Sequence, residues 1–240
     1  MCIIIAKPKG AKLPSKEILK TCFNNNPDGA GIMFALNKQV HIHKGFMTYD
    51  ELLKGLNKIK KQCKSDLTDK SIVIHFRIGT HGANDQATTH PFPITSNYDD
   101  LRKTKVTSGL GLAHNGIIST YYYDKILSDT QAFVKDFLAP IKRVYKDFYK
   151  DTEYKKMILR VGGHSKFAIL NNDDQLYILG EFEKQDGVYY SNGTYKDIYR
   201  YASLWDYDGG TYSSYTYTND PKQTNKHYIW NNGKWTIKED

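Results

Sequence analysis

Several classes of protein are excluded by what this sequence lacks. It contains only three cysteines in 240 residues, too few for a disulfide scaffold, which favours a reducing compartment. No apolar run approaches the ~18 residues of a membrane-spanning helix. The apolar start, Met1–Ala6, is followed at once by Lys7 and Lys9, so it is too short and in the wrong order for a secretory signal. We therefore expect a soluble, cytoplasmic protein with no membrane partner.

The excess of positive charge does not indicate a particular function. The formal net charge is +8 and the pI is near 9.1, and much of the excess lies in residues 54–64 and 142–156. In the second segment acidic residues are interleaved with the basic ones, which is typical of a solvated helix face. No nucleic-acid-binding motif accompanies either segment, so a nucleic-acid partner is neither indicated nor excluded.

Periodicity and turn residues predict an α+β fold. Helices are predicted to begin after Ser15, Thr48 and Ser128, which can cap them, and Pro140 is predicted to break or kink the third. Ile117-Ile118 is predicted to continue one strand past a turn. The predicted strands are residues 2–6, 30–36, 40–44, 71–76, 110–113, 167–170 and 176–179. This order of elements predicts antiparallel sheets with helices outside them.

Cys2 is the residue on which the functional hypothesis depends. Methionine aminopeptidases remove Met1 when the next side chain is small, so the mature chain would begin with a thiol and a free α-amine on one residue. Their reference pKa values are about 8.5 and about 7.7–8.0, so the amine can act as a base toward the thiol near neutral pH. The alternative is a small apolar residue that starts a buried strand.

Further residues could complete a site for an amide substrate. Attack of a thiolate on a carboxamide creates an oxyanion, which the side-chain NH of Asn115 and the backbone NH of Gly116 could hold. Arg77 could bind a carboxylate, with a hydroxyl added by Thr80, and Asp129 could receive an ammonium. Each also has an ordinary structural interpretation: an Asn-Gly turn, a surface arginine, a helix cap. Together they describe a pocket for glutamine, a zwitterion whose side chain ends in an amide.

Five stretches of the sequence resemble a known family. They are Met1–Ile4, Pro27–Ile32, His75–Gly82, Leu112–Ile118 and Ser128–Gln131. In this order they resemble the class II glutamine amidotransferase domains of the N-terminal nucleophile hydrolase superfamily, and most of all the glutaminase domain of glucosamine-6-phosphate synthase.

The resemblance implies a fold, a reaction and a set of site residues. The fold is a four-layer αββα sandwich of two antiparallel sheets. The reaction is thiolate attack by Cys2, loss of ammonia, a γ-glutamyl thioester and hydrolysis to glutamate, with no cofactor and no metal. The implied site consists of Cys2 as nucleophile, Asn115 and Gly116 as the oxyanion hole, and Arg77, Thr80, His81 and Asp129 in the glutamine pocket. The Asp28–Gly31 backbone is implied to lie beside the nucleophile.

The resemblance covers residues 2 to about 180, with two departures. Asn25-Asn26 stand where many members carry Arg-Gly, and Gln131 stands where the family usually has an acid. We expect a glutaminase domain over residues 2–184 and a Tyr- and Asn-rich β extension over 185–240, packed on the same domain. Because no acceptor domain follows in this sequence, the expected partners are glutamine and a separate ammonia-accepting synthetase.

Two other functions stay open at this stage. One is an N-terminal nucleophile amidohydrolase that acts on a different amide. The other is a catalytically silent binding protein of the same fold, which a retained Met1 would favour. His41 and His43 share a strand face, but two histidines are too few to indicate a metal site. Asn192-Gly193-Thr194 matches a glycosylation sequon, which a cytoplasmic chain would not use.

Overall fold

The computed structural model describes residues 2–79, 85–121 and 126–196 in full, and beyond them the backbone of residues 200–208, 211–217, 226–231 and 234–238. The chain divides into two compact units, Met1–Lys196 and Asp197–Asp240. The predicted functional division into 2–184 and 185–240 stays a prediction.

The first unit combines antiparallel strands with helices. Its helices are α1 (Lys16–Asn25), α2 (Tyr49–Cys63), α3 (Tyr98–Arg102), α4 (Asp129–Phe133), α5 (Ala139–Val144) and α6 (Thr152–Gly162). Short 3₁₀ turns cover Gln86–Thr88, Ser119–Tyr121, Phe148–Lys150 and Gly193–Tyr195. No helix in the described part of the chain is long and apolar enough to cross a bilayer.

Eleven strands of the first unit form two antiparallel sheets. The strands are β1 (Ile3–Lys7), β2 (Ala30–Leu36), β3 (Gln39–Phe46), β4 (Ile72–Phe76), β5 (Phe92–Pro93), β6 (Lys105–Ser108), β7 (Leu110–Asn115), β8 (Lys166–Asn171), β9 (Leu176–Leu179), β10 (Glu183–Gln185) and β11 (Val188–Tyr190). The first sheet has the order β10-β11-β1-β4-β2-β3-β6, and the second has the order β5-β7-β8-β9. The prediction of mixed α and β structure with antiparallel sheets is confirmed.

The second unit contains one antiparallel sheet of four strands. They are β12 (Arg200–Asp208), β13 (Thr211–Tyr217), β14 (Lys226–Asn231) and β15 (Lys234–Lys238), paired in chain order.

The caps predicted from sequence begin three of the helices. Ser15 accepts a hydrogen bond from the amide of Ile18, and Thr48 forms a capping box with Glu51. Ser128 forms a second capping box with Gln131 at the start of α4. A capping box satisfies two backbone groups at once, which explains why these boundaries could be read from the sequence.

Three buried apolar clusters hold the first unit together, because side chains alternate between the two faces of each strand. One cluster joins Ile3, Ile32 and Ile74 of the first sheet to α1 and α2. A second joins Leu112, Phe167 and Ile169 of the second sheet to α4, α5 and α6. The third contains residues of both sheets, among them Ile4, Met33 and Val73 with Ala113, Ala168 and Leu170.

The structure differs from the sequence prediction at Ile117-Ile118, which is not a strand. The amide of Ile118 donates to the carboxylate of Asp129 at 2.8 Å instead of to a neighbouring strand. Pro140 is predicted to break or kink the third helix, and the α-helical pattern is interrupted there: a π-helical segment, Val134–Leu138, lies between α4 and α5, and Pro140 lies in the first turn of α5.

Candidate active site

Cys2 lies at the start of β1, where the register of two strands places it beside Arg77. β1 pairs with β4 so that Ile3 is opposite Phe76. The Sγ atom of Cys2 lies 3.4 Å from the amide nitrogen of Ile78, which donates to it, and 3.5 Å from the carbonyl oxygen of the same residue. The thiol is therefore held against the backbone that follows β4.

Burial dominates the acidity of this thiol. Desolvation raises the pKa of Cys2, while the hydrogen bond from Ile78 and the charge of Arg77 act in the opposite direction. The thiol consequently stays protonated at neutral pH unless a base accepts its proton.

A small cleft collects several of the predicted site residues. Its volume is about 40 Å³, room for a few water molecules at roughly 10–15 Å³ each. It is lined by Cys2, Arg77, Ile78, Gly79, Thr88, His90, His114, Gly116, Ile117, Ser128, Asp129 and Thr130. Four predicted site residues, Cys2, Arg77, Gly116 and Asp129, thus share one cleft, whereas Thr80 and His81 lie outside the described residues.

Arg77 is buried, so the alternative interpretation of it as a surface arginine is wrong. It is only 5% exposed, and its guanidinium lies against Gly79. The surrounding backbone is fixed by hydrogen bonds, since the Arg77 amide donates to Gly29 O at 2.8 Å and the Gly79 amide donates to Asp28 Oδ2 at 2.6 Å. The Asp28–Gly31 segment therefore lies next to Arg77.

Asp129 is held in place at the first position of α4. Its Oδ2 accepts the Ile118 amide at 2.8 Å, and its Oδ1 accepts the Thr130 amide at 2.7 Å. The Thr130 hydroxyl lies 2.7 Å from Nδ1 of His114. These bonds fix the carboxylate at the wall of the cleft, where it faces the same space as Cys2 and Arg77.

Asn115 is the one described site residue that is not among those lining the cleft. Its side chain is buried, and Nδ2 donates to the hydroxyl of Ser191 at 2.8 Å. A carboxamide nitrogen carries two hydrogens, so this bond uses one and orients the other.

Ser191 and Asn192 are functional-site candidates that sequence reasoning missed. The Ser191 hydroxyl also accepts the Ile4 amide at 2.8 Å, and the Ser191 amide donates to Ile4 O at 3.0 Å. Asn192 Nδ2 donates to the carbonyl of Cys2 at 2.7 Å. Ser191 therefore ties Asn115 to β1, and Asn192 holds the nucleophile candidate itself. In the sequence, a strand-forming run precedes Ser191 and Asn192, but no pattern indicates their contacts with Asn115, Ile4 and Cys2.

Three buried histidines lie beside the cleft. The rings of His75 and His90 stack at 4.2 Å, and that of His114 lies 6.2 Å from His90. Four of their six ring nitrogens have no hydrogen-bond partner among the described residues. Burial lowers the pKa of His75 to about 3 and holds the pKa values of His90 and His114 below their usual range. In the part of the chain with described side chains, no group of His, Cys, Asp and Glu is arranged to hold a metal ion.

The two departures from the family pattern have structural roles here. Asn26 Nδ2 donates to Cys22 O at 3.0 Å, and Asn25 Nδ2 donates to Thr194 O at 2.8 Å, which ties α1 to the segment that follows Asn192. Gln131 is fully buried, closes the capping box of α4 and donates to Leu101 O at 3.0 Å.

Gly116 occupies a position that excludes a side chain. Its φ is +151°, and a Cβ built there would lie 2.8 Å from both Cα and Cβ of Ser165, closer still to its hydroxyl. We expect Gly116→Ala to lower the free energy of unfolding by roughly 2–4 kcal/mol through strain and overpacking. Urea denaturation measures this loss. The matched control is Gly109→Ala, since a Cβ at Gly109 meets nothing within 4 Å; equal stabilities of the two variants would contradict the prediction.

Comparisons with known proteins give a weak likeness to solved structures. No protein-family model matches the sequence, and no curated protein matches it. Among solved structures, the chain is similar to the glutamine phosphoribosylpyrophosphate amidotransferase from B. subtilis, complexed with ADP and GMP, at a TM-score of 0.48 and 15% sequence identity. The match covers 99% of this chain and 49% of that one, so this chain spans about half the length of that protein. The proposals below rest on the chain's own residues.

Proposed function

We propose that this chain is a glutamine amidotransferase-type hydrolase that releases ammonia from the side-chain amide of glutamine. The observation that carries the proposal is the meeting of a thiol, a buried guanidinium and a fixed carboxylate in one cleft, at Cys2, Arg77 and Asp129. A thiol can attack an amide carbon, while the two opposite charges match the carboxylate and ammonium of a free amino acid.

Cys2 is the proposed nucleophile, and its own α-amine is the proposed base. Burial raises the pKa of this thiol, so a base must accept its proton near neutral pH. Removal of Met1 supplies one, because an α-amine has a pKa of about 7.7–8.0 and would then belong to the same residue as Sγ. Asn192 supports this role by holding the carbonyl of Cys2 at 2.7 Å.

Gly116 and Asn115 are the proposed oxyanion hole. The hydrogen of Asn115 Nδ2 that is not bonded to Ser191 is available to a developing negative charge, and the Gly116 backbone lies at the cleft. Donors fixed before the reaction stabilise a transition state without reorganisation. Ser191 is a positioning residue in this proposal because it touches Asn115 and β1 rather than the substrate.

Arg77 and Asp129 are the proposed ligands of the α-carboxylate and α-ammonium of glutamine. Thr80 and His81 belong to the same proposed pocket by the family resemblance alone. The cleft of about 40 Å³ holds only a few waters at roughly 10–15 Å³ each, so binding of glutamine requires residues at its rim to move.

The proposed reaction has two covalent steps. The thiolate forms a bond to the amide carbon, the α-ammonium of Cys2 gives its proton to the leaving nitrogen, and the C–N bond breaks to release ammonia. Water then attacks the γ-glutamyl thioester with the α-amine as base, and the C–S bond breaks to give glutamate and the free thiol. Neither step needs a metal or a cofactor.

The remaining family features are proposed on the same basis. The three apolar clusters suit a four-layer αββα sandwich, with one cluster at each interface. We also propose a cytoplasmic location, which suits three free cysteines, and a separate synthetase that accepts the ammonia. The segment 185–240 stays a proposed β extension.

Substrate analogues test the assignment of the pocket. The chain is prepared with Cys2 as its first residue, and ammonia release is measured from glutamine, N-acetylglutamine, glutamine α-amide and asparagine. We expect glutamine to be best, because the second compound lacks the ammonium for Asp129 and the third lacks the carboxylate for Arg77. Turnover of another amide without turnover of glutamine would overturn the proposal in favour of an amidohydrolase with a different substrate.

Ser191→Ala tests the positioning of Asn115. The variant leaves two buried donors, Asn115 Nδ2 and the Ile4 amide, without their acceptor, which costs roughly 1–3 kcal/mol of stability. We expect kcat for ammonia release to fall about 10- to 100-fold through misplacement of the carboxamide, with KM little changed. The matched control is Ser71→Ala, a buried hydroxyl that likewise accepts a backbone amide, that of Lys9, but lines neither of the two clefts. An unchanged kcat in Ser191→Ala would remove Ser191 from the account.

A further inference from the structure

A second cleft lies away from Cys2 and shares no lining residue with the first. Its volume is about 530 Å³, within the range of about 300–1,000 Å³ that is usual for small-molecule sites. Strand β7, helix α5 and the loop after β5 contribute to its walls. Its floor is apolar and well packed, since Ile94, Leu110 and Tyr149 are all at least nine-tenths buried.

The charges that line this cleft are unbalanced. Lys142, Arg143 and Lys146 face one carboxylate, that of Asp147. Asp147 is already paired, because Lys150 Nζ, which does not line the cleft, lies 3.0 Å from its carboxylate and the Tyr149 hydroxyl donates to it at 3.1 Å. Three positive charges are therefore left without a negative partner in the described part of the cleft.

Lys142 is half-buried, whereas Arg143 and Lys146 are exposed. Lys142 Nζ donates to the carbonyl of Ile94 at 2.8 Å, and burial lowers the pKa of its ammonium. Arg143 and Lys146 form no salt bridge within residues 2–79, 85–121 and 126–196. By contrast, Lys150 and Lys156 of the same basic segment are paired with Asp147 and Glu153. The basic segment that looked like one solvated face thus contains both paired lysines and the three cations of the cleft, which have no salt bridge in the described part of the chain.

We propose that this cleft binds a small phosphorylated molecule through Lys142, Arg143 and Lys146. A phosphomonoester carries a charge of about −1.5 to −2 near neutral pH, which matches three unpaired cations better than a single carboxylate does. Arginine binds phosphate oxygens in a bidentate manner and lysine adds a point charge. The apolar floor accommodates the rest of the ligand. The proposal does not depend on catalysis at Cys2, because the two clefts have no residue in common.

Isothermal titration calorimetry of the full chain tests the proposal with two phosphorylated probes, glycerol 3-phosphate and AMP. Their unphosphorylated counterparts, glycerol and adenosine, control for the phosphate. We expect the phosphorylated probes alone to bind, and the affinity to fall when NaCl is raised from about 50 to about 300 mM, because salt screens exposed charges.

A pair of double variants assigns the site. Arg143→Gln with Lys146→Gln removes two charges from the cleft, and we expect at least a tenfold loss of affinity. Lys58→Gln with Lys61→Gln removes two exposed charges from α2, and we expect no change. Thermal unfolding confirms that both variants fold. The proposal would be overturned if neither phosphorylated probe binds, or if both double variants lose affinity equally. The Cys2→Ala variant is expected to bind the probes normally, so a loss of ammonia release in that variant does not test this site.

Discussion

Replacement of Cys2 by alanine is expected to reduce ammonia release from glutamine by roughly 10⁴-fold or more, because the loss of a covalent nucleophile removes the reaction path and not a single contact. The fold is expected to survive, since the two side-chain hydrogen bonds of Cys2, both with Ile78, are long at 3.4 and 3.5 Å. The measurement is coupled detection of ammonia with the purified variant and the parent chain.

Cys63→Ala is the matched control for this result. Cys63 is also a free, partly exposed thiol, but it ends α2 and lines neither of the two clefts. We expect it to keep full activity. A Cys2→Ala variant as active as Cys63→Ala would contradict the proposed nucleophile.

Acidification is expected to destabilise the protein steeply between about pH 6.5 and pH 4. In the folded state burial lowers the pKa of His75 to about 3 and depresses the pKa values of His90 and His114. In the unfolded chain each histidine has a pKa near 6.5. The unfolded state therefore binds more protons below pH 6.5, and the stability present above that pH is lost as the pH falls.

The magnitude follows from the number of histidines. Each contributes about 1.4 kcal/mol per pH unit once it is charged only in the unfolded state, so the three together give a slope of about 4 kcal/mol per pH unit near pH 5. His43, whose pKa burial lowers to about 4, adds to this slope. That slope removes much of a typical stability of about 5–15 kcal/mol. Urea denaturation at successive pH values measures it.

A control variant and an NMR measurement test this explanation of the pH dependence. His164→Gln replaces an exposed histidine and is expected to keep the same slope. NMR of the ring protons is expected to show that His75, His90 and His114 do not titrate before the chain unfolds. A free energy of unfolding that stays constant from about pH 7 to pH 5 would contradict the burial of three neutral histidines.

Local signals explain which parts of the fold could be predicted. The caps at Ser15, Thr48 and Ser128 act within a few residues of sequence, so the helix starts they predict are the ones observed. The predicted strands 30–36 and 40–44 were found for the same reason, and the structure joins β2 and β3 as a hairpin through Asn37 and Lys38. Ile117-Ile118 was misassigned because its hydrogen-bond partner, Asp129, lies eleven residues away.

The candidate site shows the same limit. Cys2, Arg77, Gly116 and Asp129 could be chosen from their chemistry and their place at the ends of elements, and they line one cleft. Ser191 and Asn192 could not, since their bonds reach Asn115, Ile4 and Cys2 across more than seventy residues of chain. In the sequence, Asn192 stands out only as the first residue of a glycosylation sequon. Its side chain instead holds the backbone of the proposed nucleophile.

The basic segment, residues 142–156, shows the same limit of prediction from sequence. Interleaved signs predict a solvated face, and Lys150 and Lys156 conform to that pattern. Sequence alone could not reveal that Lys142, Arg143 and Lys146 border a concave apolar floor, because Ile94 in the loop after β5 and Leu110 in β7 are distant from them in the chain.

The most direct test of the account is mass spectrometry of the chain after reaction with glutamine. The chain with Cys2 as its first residue is mixed with glutamine and quenched in acid, and the intact mass and a peptide map are recorded. The account predicts a γ-glutamyl group attached to Cys2, which hydroxylamine removes, and no such adduct in the Cys2→Ala variant. Release of ammonia with Cys2 unmodified throughout turnover, or a γ-glutamyl group on Cys63 instead, would contradict it.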